Sequence, residues 1–215
     1  MRLALGHLPP VNCDDSKVGA RCINNAIIKR LQHFSGINIQ TRLVPYARVV
    51  RMLKGNQADM ALMLKNDAIP NDIIAVAKVF ETKFSVYARV DEERLPFSQL
   101  KVGLLRGQDS SVSRHLAGAR LFDLAEYRQG VKMITLGRLD AILLPDEVVI
   151  YLFGQPHFNN ILSPRPLLQF NQEVWLYCHR DVCNAQRLKQ LQKAISRIQS
   201  EIPTIKKVAL EAYYN

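Results

Sequence analysis

Two stretches of this chain say nearly the same thing. VRMLKGNQADMALML (residues 50–64) and VKMITLGRLDAILLP (131–145) share Val50/Val131, Met52/Met133, Asp59/Asp140 and Leu62/Leu143, each pair offset by 140 − 59 = 81 residues. Each begins with apolar residues at helical spacing, turns at a glycine, and enters a short apolar strand through an aspartate. A solenoid repeat has a period of roughly 20 to 50 residues. The longer offset here calls for two lobes built alike.

The flanking segments fit that reading. RLALG (2–6) predicts a strand running into the loop HLPPVNCDD. Cys22, Ile23, Ala26, Ile27, Leu31 and Phe34 then recur at helical spacing, with Gly36 as the stop. INIQTRLV (37–44) alternates as a half-buried strand, Pro45 opens a second helix, and MALML is a third strand. FSVYAR (84–89) predicts a further strand, followed by the charged linker VDEERLPFSQ. After it the pattern restarts: KVGLL (101–105) as a strand, EYRQGVKMITLG as a helix, LDAILLP as a strand. QEVWLYC (172–178) predicts a last strand. Asn184 caps a helix with Leu188, Leu191, Ile195 and Ile198 on one face, and TIKKVALEAYY closes the chain. Strands alternating with helices predict a mostly parallel α/β sheet.

The 215 residues carry a formal net charge of +10, which invites a nucleic-acid reading. The basic residues are dispersed, however. Their densest set, Arg42, Arg48, Arg51 and Lys54, lacks aromatic stacking partners beyond Tyr46, so no nucleic-acid partner is expected. No uncharged apolar run is long enough to span a bilayer. Met1 is followed at once by a strand-like segment, not by a secretory leader, so the chain reads either as cytosolic or as one whose signal has been removed. The cysteines, Cys13, Cys22, Cys178 and Cys183, are spaced C-x8-C and C-x4-C, unlike zinc or redox motifs. No metal or other cofactor is expected. At least one disulfide among the four is, with the connectivity open, and that suits an exported protein.

Taken in order, the opening strand followed by PP, VPYARVVRMLKGNQADMAL, LKVGLLRG and LGRLDAILLPD resemble bacterial extracellular solute-binding proteins of family 3, the amino-acid-type periplasmic receptors of ABC importers. The resemblance spans nearly the whole chain. It implies a type II periplasmic-binding-protein fold: two α/β lobes joined by two crossover strands that close, by a hinge, on a small ligand. Lobe I is expected at 1–90 plus 178–215 and lobe II at 91–177, with hinge strands near 84–94 and 170–178. It also implies a periplasmic monomer, an ABC permease or membrane sensor as partner, and no catalysis.

In open α/β sheets the loops after the carboxyl ends of the parallel strands meet the ligand. That geometry makes His7, Pro10, Tyr46, Arg48, Lys65 and Asn66 the candidates in the first lobe. In the second they are Arg106, Gln108, Asp109, Ser110, Ser111 and Asp146, with Glu147 beside it. In the resemblance, Tyr46 stands at a ligand-stacking aromatic position and Arg106 at a basic contact, with RGQDSS aiming helix N–H groups at an anion. Asp59 and Asp140, at strand starts, read as structural. Two departures matter. Where the resembling receptors carry an arginine for the ligand carboxylate this chain has Asn71, and where they carry an aspartate for the ammonium group it has Pro145, with Asp146 one step on. A standard α-amino acid is therefore disfavoured, and a small polar or anionic metabolite is expected. The alternatives are a dehydratase-like lyase, with Asp146, Glu147 or His7 as acid or base, and the effector-binding domain of a regulator.

Overall fold

The structure is a computed structural model and describes residues 1–14, 22–66, 69–90 and 95–211, with the side chains of 109–110, 150 and 153–159 outside that set. The chain folds as two compact units, one made of Met1–Glu81 with residues 173–211 and the other of Thr82–Gln172.

In the first unit β1 (Arg2–Gly6) lies between β2 (Gln40–Val44) and β3 (Met60–Leu64), parallel to both. Leu3, Ala4 and Leu5 are at most 1% exposed, and all five residues of MALML are buried. Continuous apolar runs of this kind mark parallel strands covered on both faces. The helices α1 (Ile23–Ser35) and α2 (Tyr46–Lys54) make the connections, and Gly36, at φ 69°, supplies the left-handed stop of α1. β8 (Leu168–His179) returns antiparallel beside β3. The closing helices α6 (Ala185–Ile198) and α7 (Ile202–Glu211) pack on α1. Asn184 caps α6 as expected, its side chain accepting from the Arg187 N–H at 2.9 Å.

The second unit repeats this plan. β5 (Lys101–Leu105) lies parallel between β6 (Arg120–Leu124) and β7 (Ala141–Pro145), and β4 (Ile73–Ala88) is antiparallel to β7. Its helices are α3 (Asp109–Val112), α4 (Tyr127–Thr135) and α5 (Asp146–Ile161). Strand orders are β2-β1-β3-β8 in one unit and β4-β7-β5-β6 in the other. The two units divide inside the long strands β4 and β8, at 81/82 and 172/173.

Atomic detail now accounts for the sequence echo. Gln57 and Ala58 donate their N–H groups to Met52 O, while Arg138 and Leu139 donate to Met133 O. Asn56 (φ 52°) and Gly137 (φ 65°) occupy the same left-handed position of that turn, a conformation Gly and Asn tolerate best. The first copy thus turns at Asn56, since Gly55 has φ −90°. Asp59 then accepts the Arg2 N–H on its carboxylate (2.7 Å), and Asp140 accepts the Lys101 N–H (2.9 Å). Their carbonyls accept from His179 and Arg89, each at 2.8 Å. One aspartate per unit therefore ties together three strands, which is the structural role expected of both.

Candidate functional site

Each unit gathers side chains at the carboxyl ends of its parallel strands. The first residue past the central strand is placed identically in both: His7 N–H donates to Val44 O (2.7 Å), and Arg106 N–H donates to Leu124 O (2.9 Å). Both side chains are exposed.

In the first unit the loop after β1 is tied down from several sides. Asn12 donates to Gly6 O at 2.8 Å, Asn24 donates to the Asn12 side chain at 2.8 Å, and a Cys13–Cys22 disulfide links the loop to the start of α1. Pro10 is buried here, its carbonyl accepting from the Ile23 N–H, so it braces the loop from inside. Tyr46 lies against Gly6, where a Cβ would come within 2.7 Å of its Cδ2, and so only glycine admits the ring. The Tyr46 hydroxyl accepts from the Leu64 N–H at 3.4 Å, and burial pushes its phenol well above the ordinary tyrosine range, keeping it neutral. Asn66 N–H donates to the Tyr177 hydroxyl at 3.0 Å. Arg48 projects from α2 as an exposed side chain.

Lys65 stands 3.9 Å from Glu173, whose carboxylate also accepts from Trp175 Nε1 (2.9 Å) and meets Lys78 at 3.5 Å. The Trp175 bond, with the two lysines, holds the Glu173 carboxyl below its usual range. At Asn71 the side chain expected in the resembling receptors is absent, yet a guanidinium is present: Arg180 donates twice to the Asn71 carbonyl, at 3.1 and 3.2 Å.

In the second unit Arg106 is 65% exposed, with Asp123 at 3.6 Å. Gln108 does not serve as a free ligand contact. It is 1% exposed, accepts from the Leu105 N–H and donates to the Tyr127 hydroxyl, which satisfies its amide inside the unit. Ser111 is buried as well, and Asp109 and Ser110 open α3 with side chains outside the described set. The anion seat expected from RGQDSS is not a full helix N-terminus. α3 is four residues long and passes into a 3-10 turn, and the Ser111 and Val112 N–H groups are taken by Gln108 O.

Asp146 and Glu147 begin α5. Ser85 donates to Asp146 at 2.9 Å, Lys83 stands 3.9 Å from it, and Thr82 donates to the buried Glu147 at 2.7 Å. Gln169 donates in turn to Ser85. These β4 and β8 residues were missed by sequence reasoning: they lie in ordinary strand sequence and reach α5 only across the sheet. The same holds for His115, stacked on Phe170 at 4.0 Å. Burial, with Arg114 beside it, lowers the His115 pKa below the ordinary histidine value.

The cysteines resolve into one disulfide, Cys13–Cys22, and two buried free thiols. Cys178 and Cys183 stay reduced where β8 turns toward α6, with the Cys178 thiol donating to His179 O at 3.6 Å. Among the described residues no group of three or more His, Cys, Asp or Glu is arranged to hold a metal, and no helix is long and apolar enough to cross a membrane.

No protein-family profile matches the chain, and no curated protein matches it. Solved structures do. The VFT2 domain of Bordetella pertussis BvgS, as a double mutant, superposes with a TM-score of 0.77 at 19% identity, over 96% of this chain and 91% of that one. The amino acid ABC transporter substrate-binding protein AbpA from Streptococcus pneumoniae, bound to L-arginine, gives 0.78 at 14%, over 100% and 96%. AncCDT-1, an ancestral amino acid-binding protein and precursor of cyclohexadienyl dehydratase, gives 0.73 at 11%, over 100% and 95%. At these identities the likeness is one of fold, and the fold of this chain is the mixed α/β type II periplasmic-binding, or Venus flytrap, fold that its sequence resemblance implied.

Proposed function

We infer that this chain is a periplasmic solute-binding protein that captures a small polar or anionic metabolite and presents it to an ABC permease or a membrane sensor. The observation that carries the reading is the doubled strand exit. His7 and Arg106 leave equivalent central strands at equivalent positions; Tyr46 lies against the end of the first, and Asp146 follows β7, the parallel neighbour of the second. Polar side chains at the carboxyl ends of parallel strands are where open α/β sheets recognise ligands. Structural neighbours that are amino acid-binding proteins, one holding L-arginine, support the same class of ligand size. A cationic Arg106, only loosely paired with Asp123, favours an anionic group on the solute.

The test is a thermal-shift and calorimetric screen of organic acids, amino acids and small cations. Binding of one organic acid or polar anion is expected, weakened at least tenfold in Arg106→Ala and in Tyr46→Ala without loss of folding. No binding across the panel, or binding indifferent to both substitutions, overturns the reading.

A second reading rests on Glu147. A buried carboxylate receiving a hydroxyl hydrogen bond is poised for acid–base work, and one neighbour is a precursor of a dehydratase. Turnover of a bound acid by the wild type and not by Glu147→Gln would favour the lyase.

A further inference from the structure

Cations that lie scattered along the sequence are gathered by packing onto one helical layer of the first unit. α6 carries four of them, Arg187, Lys189, Lys193 and Arg197, and no acid in its 14 residues. Leu191, Ala194, Ile195 and Ile198 form its buried stripe. The opposite stripe, Lys189, Lys193, Ser196 and Arg197, recurs at helical spacing and is exposed throughout. We propose that this face adsorbs to an anionic phospholipid surface, with Lys189 and Lys193 at the centre of the contact. The proposal goes beyond the strand-end solute site and does not rest on it, since none of its residues belongs to that site.

The neighbouring helices extend the charge and do not cancel it. α1 packs on both α6 and α7; it contributes Lys29 and Arg30, and α7 contributes Lys206 and Lys207. Against these eight lysines and arginines stand two acids, Glu201 at 3.0 Å from Arg30 and Glu211 at 4.0 Å from Lys207. Among the described residues none of the four α6 cations meets a carboxylate. Arg187 donates to Val182 O at 2.7 Å, and Arg197 lies over the Phe34 ring at 5.8 Å, contacts that orient both side chains and leave their charge in place. The helix itself is held with this face outward, because Gln192 donates to Val76 O at 3.1 Å and Gln199 to Lys78 O at 2.9 Å.

The chemistry of the face selects the kind of partner. Protein interfaces are built round buried aromatic and apolar anchors and are depleted in lysine. The outward stripe of α6 offers lysine, glutamine and serine, with no aromatic and no exposed large apolar side chain. Long flexible lysines suit a diffuse plane of phosphate charge, which demands no fixed pairing geometry, and each one near an anionic bilayer surface strengthens adsorption about fivefold.

The experiment sediments the whole chain with large unilamellar vesicles of phosphatidylglycerol and phosphatidylcholine in equal parts, and with vesicles of phosphatidylcholine alone, at about 0.1 M and about 1 M NaCl. Adsorption is expected on the anionic vesicles only, and is lost at the higher salt. Lys189→Gln/Lys193→Gln should lower the partition coefficient roughly twenty-five-fold, about fivefold per lysine. Lys189→Arg/Lys193→Arg keeps the charge and should keep the adsorption. Lys132→Gln/Arg138→Gln removes the same charge from exposed positions of the second unit and should change the coefficient less than about threefold, which separates a defined face from the pull of net charge. The proposal is overturned by equal adsorption to both kinds of vesicle, by equal losses in the two neutralised variants, or by a loss in the arginine variant as large as in the glutamine one. Absence of adsorption together with saturable binding of poly-L-glutamate assigns the face to an acidic polypeptide and overturns it as well.

Discussion

Replacing Asp59 by alanine tests the reading of the sequence echo. The carboxylate is 12% exposed and accepts the Arg2 N–H at 2.7 Å, with further bonds from the Arg2 side chain at 2.6 and 3.1 Å. The guanidinium is largely solvated and screened, so it is assigned no share. The main-chain N–H bonded to a charged acceptor is the contribution that remains, about 1.5–3 kcal/mol. Asp140 makes the equivalent bond to the Lys101 N–H, with the Lys101 ammonium only at 3.9 Å. Asp59→Ala and Asp140→Ala should therefore each cost about 2 kcal/mol and agree to within about 0.5 kcal/mol, despite their different side-chain partners. Urea titrations followed by circular dichroism measure this, and a loss of about 2 kcal/mol lowers Tm by roughly 4–8 °C. The Asp59 contribution also carries a pH signature. Burial works to raise its pKa, but the Arg2 bonds and nearby positive charges prevail and hold it below the usual carboxyl range. A depressed folded pKa gives stability that is complete above about pH 4 and is lost as pH falls through the folded value. The gap between wild type and Asp59→Ala should thus be full at pH 7 and close in acid. A cost under about 0.5 kcal/mol for both variants, or a gap that widens in acid, refutes the shared tie.

Two further outcomes follow from the loop that supports His7 and Tyr46. Reducing the Cys13–Cys22 bridge, which spans a separation of 9 residues, should cost about 2.5 kcal/mol of unfolding free energy in reductant titrations. Without reductant, the unfolded chain should expose two titratable thiols, Cys178 and Cys183, and four with it. Gly6→Ala puts a Cβ 2.7 Å from Tyr46 Cδ2, so it should cost about 1–3 kcal/mol and weaken solute binding along with Tyr46→Ala, as read by melting and calorimetry.

What could be read in advance is uneven for physical reasons. β1, β3, β5 and β7 are apolar runs bounded by Gly, Pro or Asp, and burial on both faces leaves that trace in sequence. β6 was not foreseen because four of its five residues, Arg120 to Asp123, are exposed and carry no apolar alternation. α5 was missed because VVIYLF is apolar without helical periodicity, which fits a buried strand as readily as a helix. Among the candidates, His7, Tyr46 and Arg106 could be placed by strand-end position. Gln108 could not be judged, since its polarity suggested a ligand contact while the Tyr127 hydroxyl, 19 residues on, satisfies it internally.

The sequence by itself determined the repeated unit, the aspartate at each strand entry and the order of the helices and strands other than β6 and α5, because these rest on local periodicity and short-range turns. Only the tertiary structure decided which cysteines pair, that Thr82 and Ser85 reach the start of α5, and that Arg180 brings a guanidinium to Asn71. Those contacts join residues far apart in the chain, and no local pattern records which distant side chain packing will deliver.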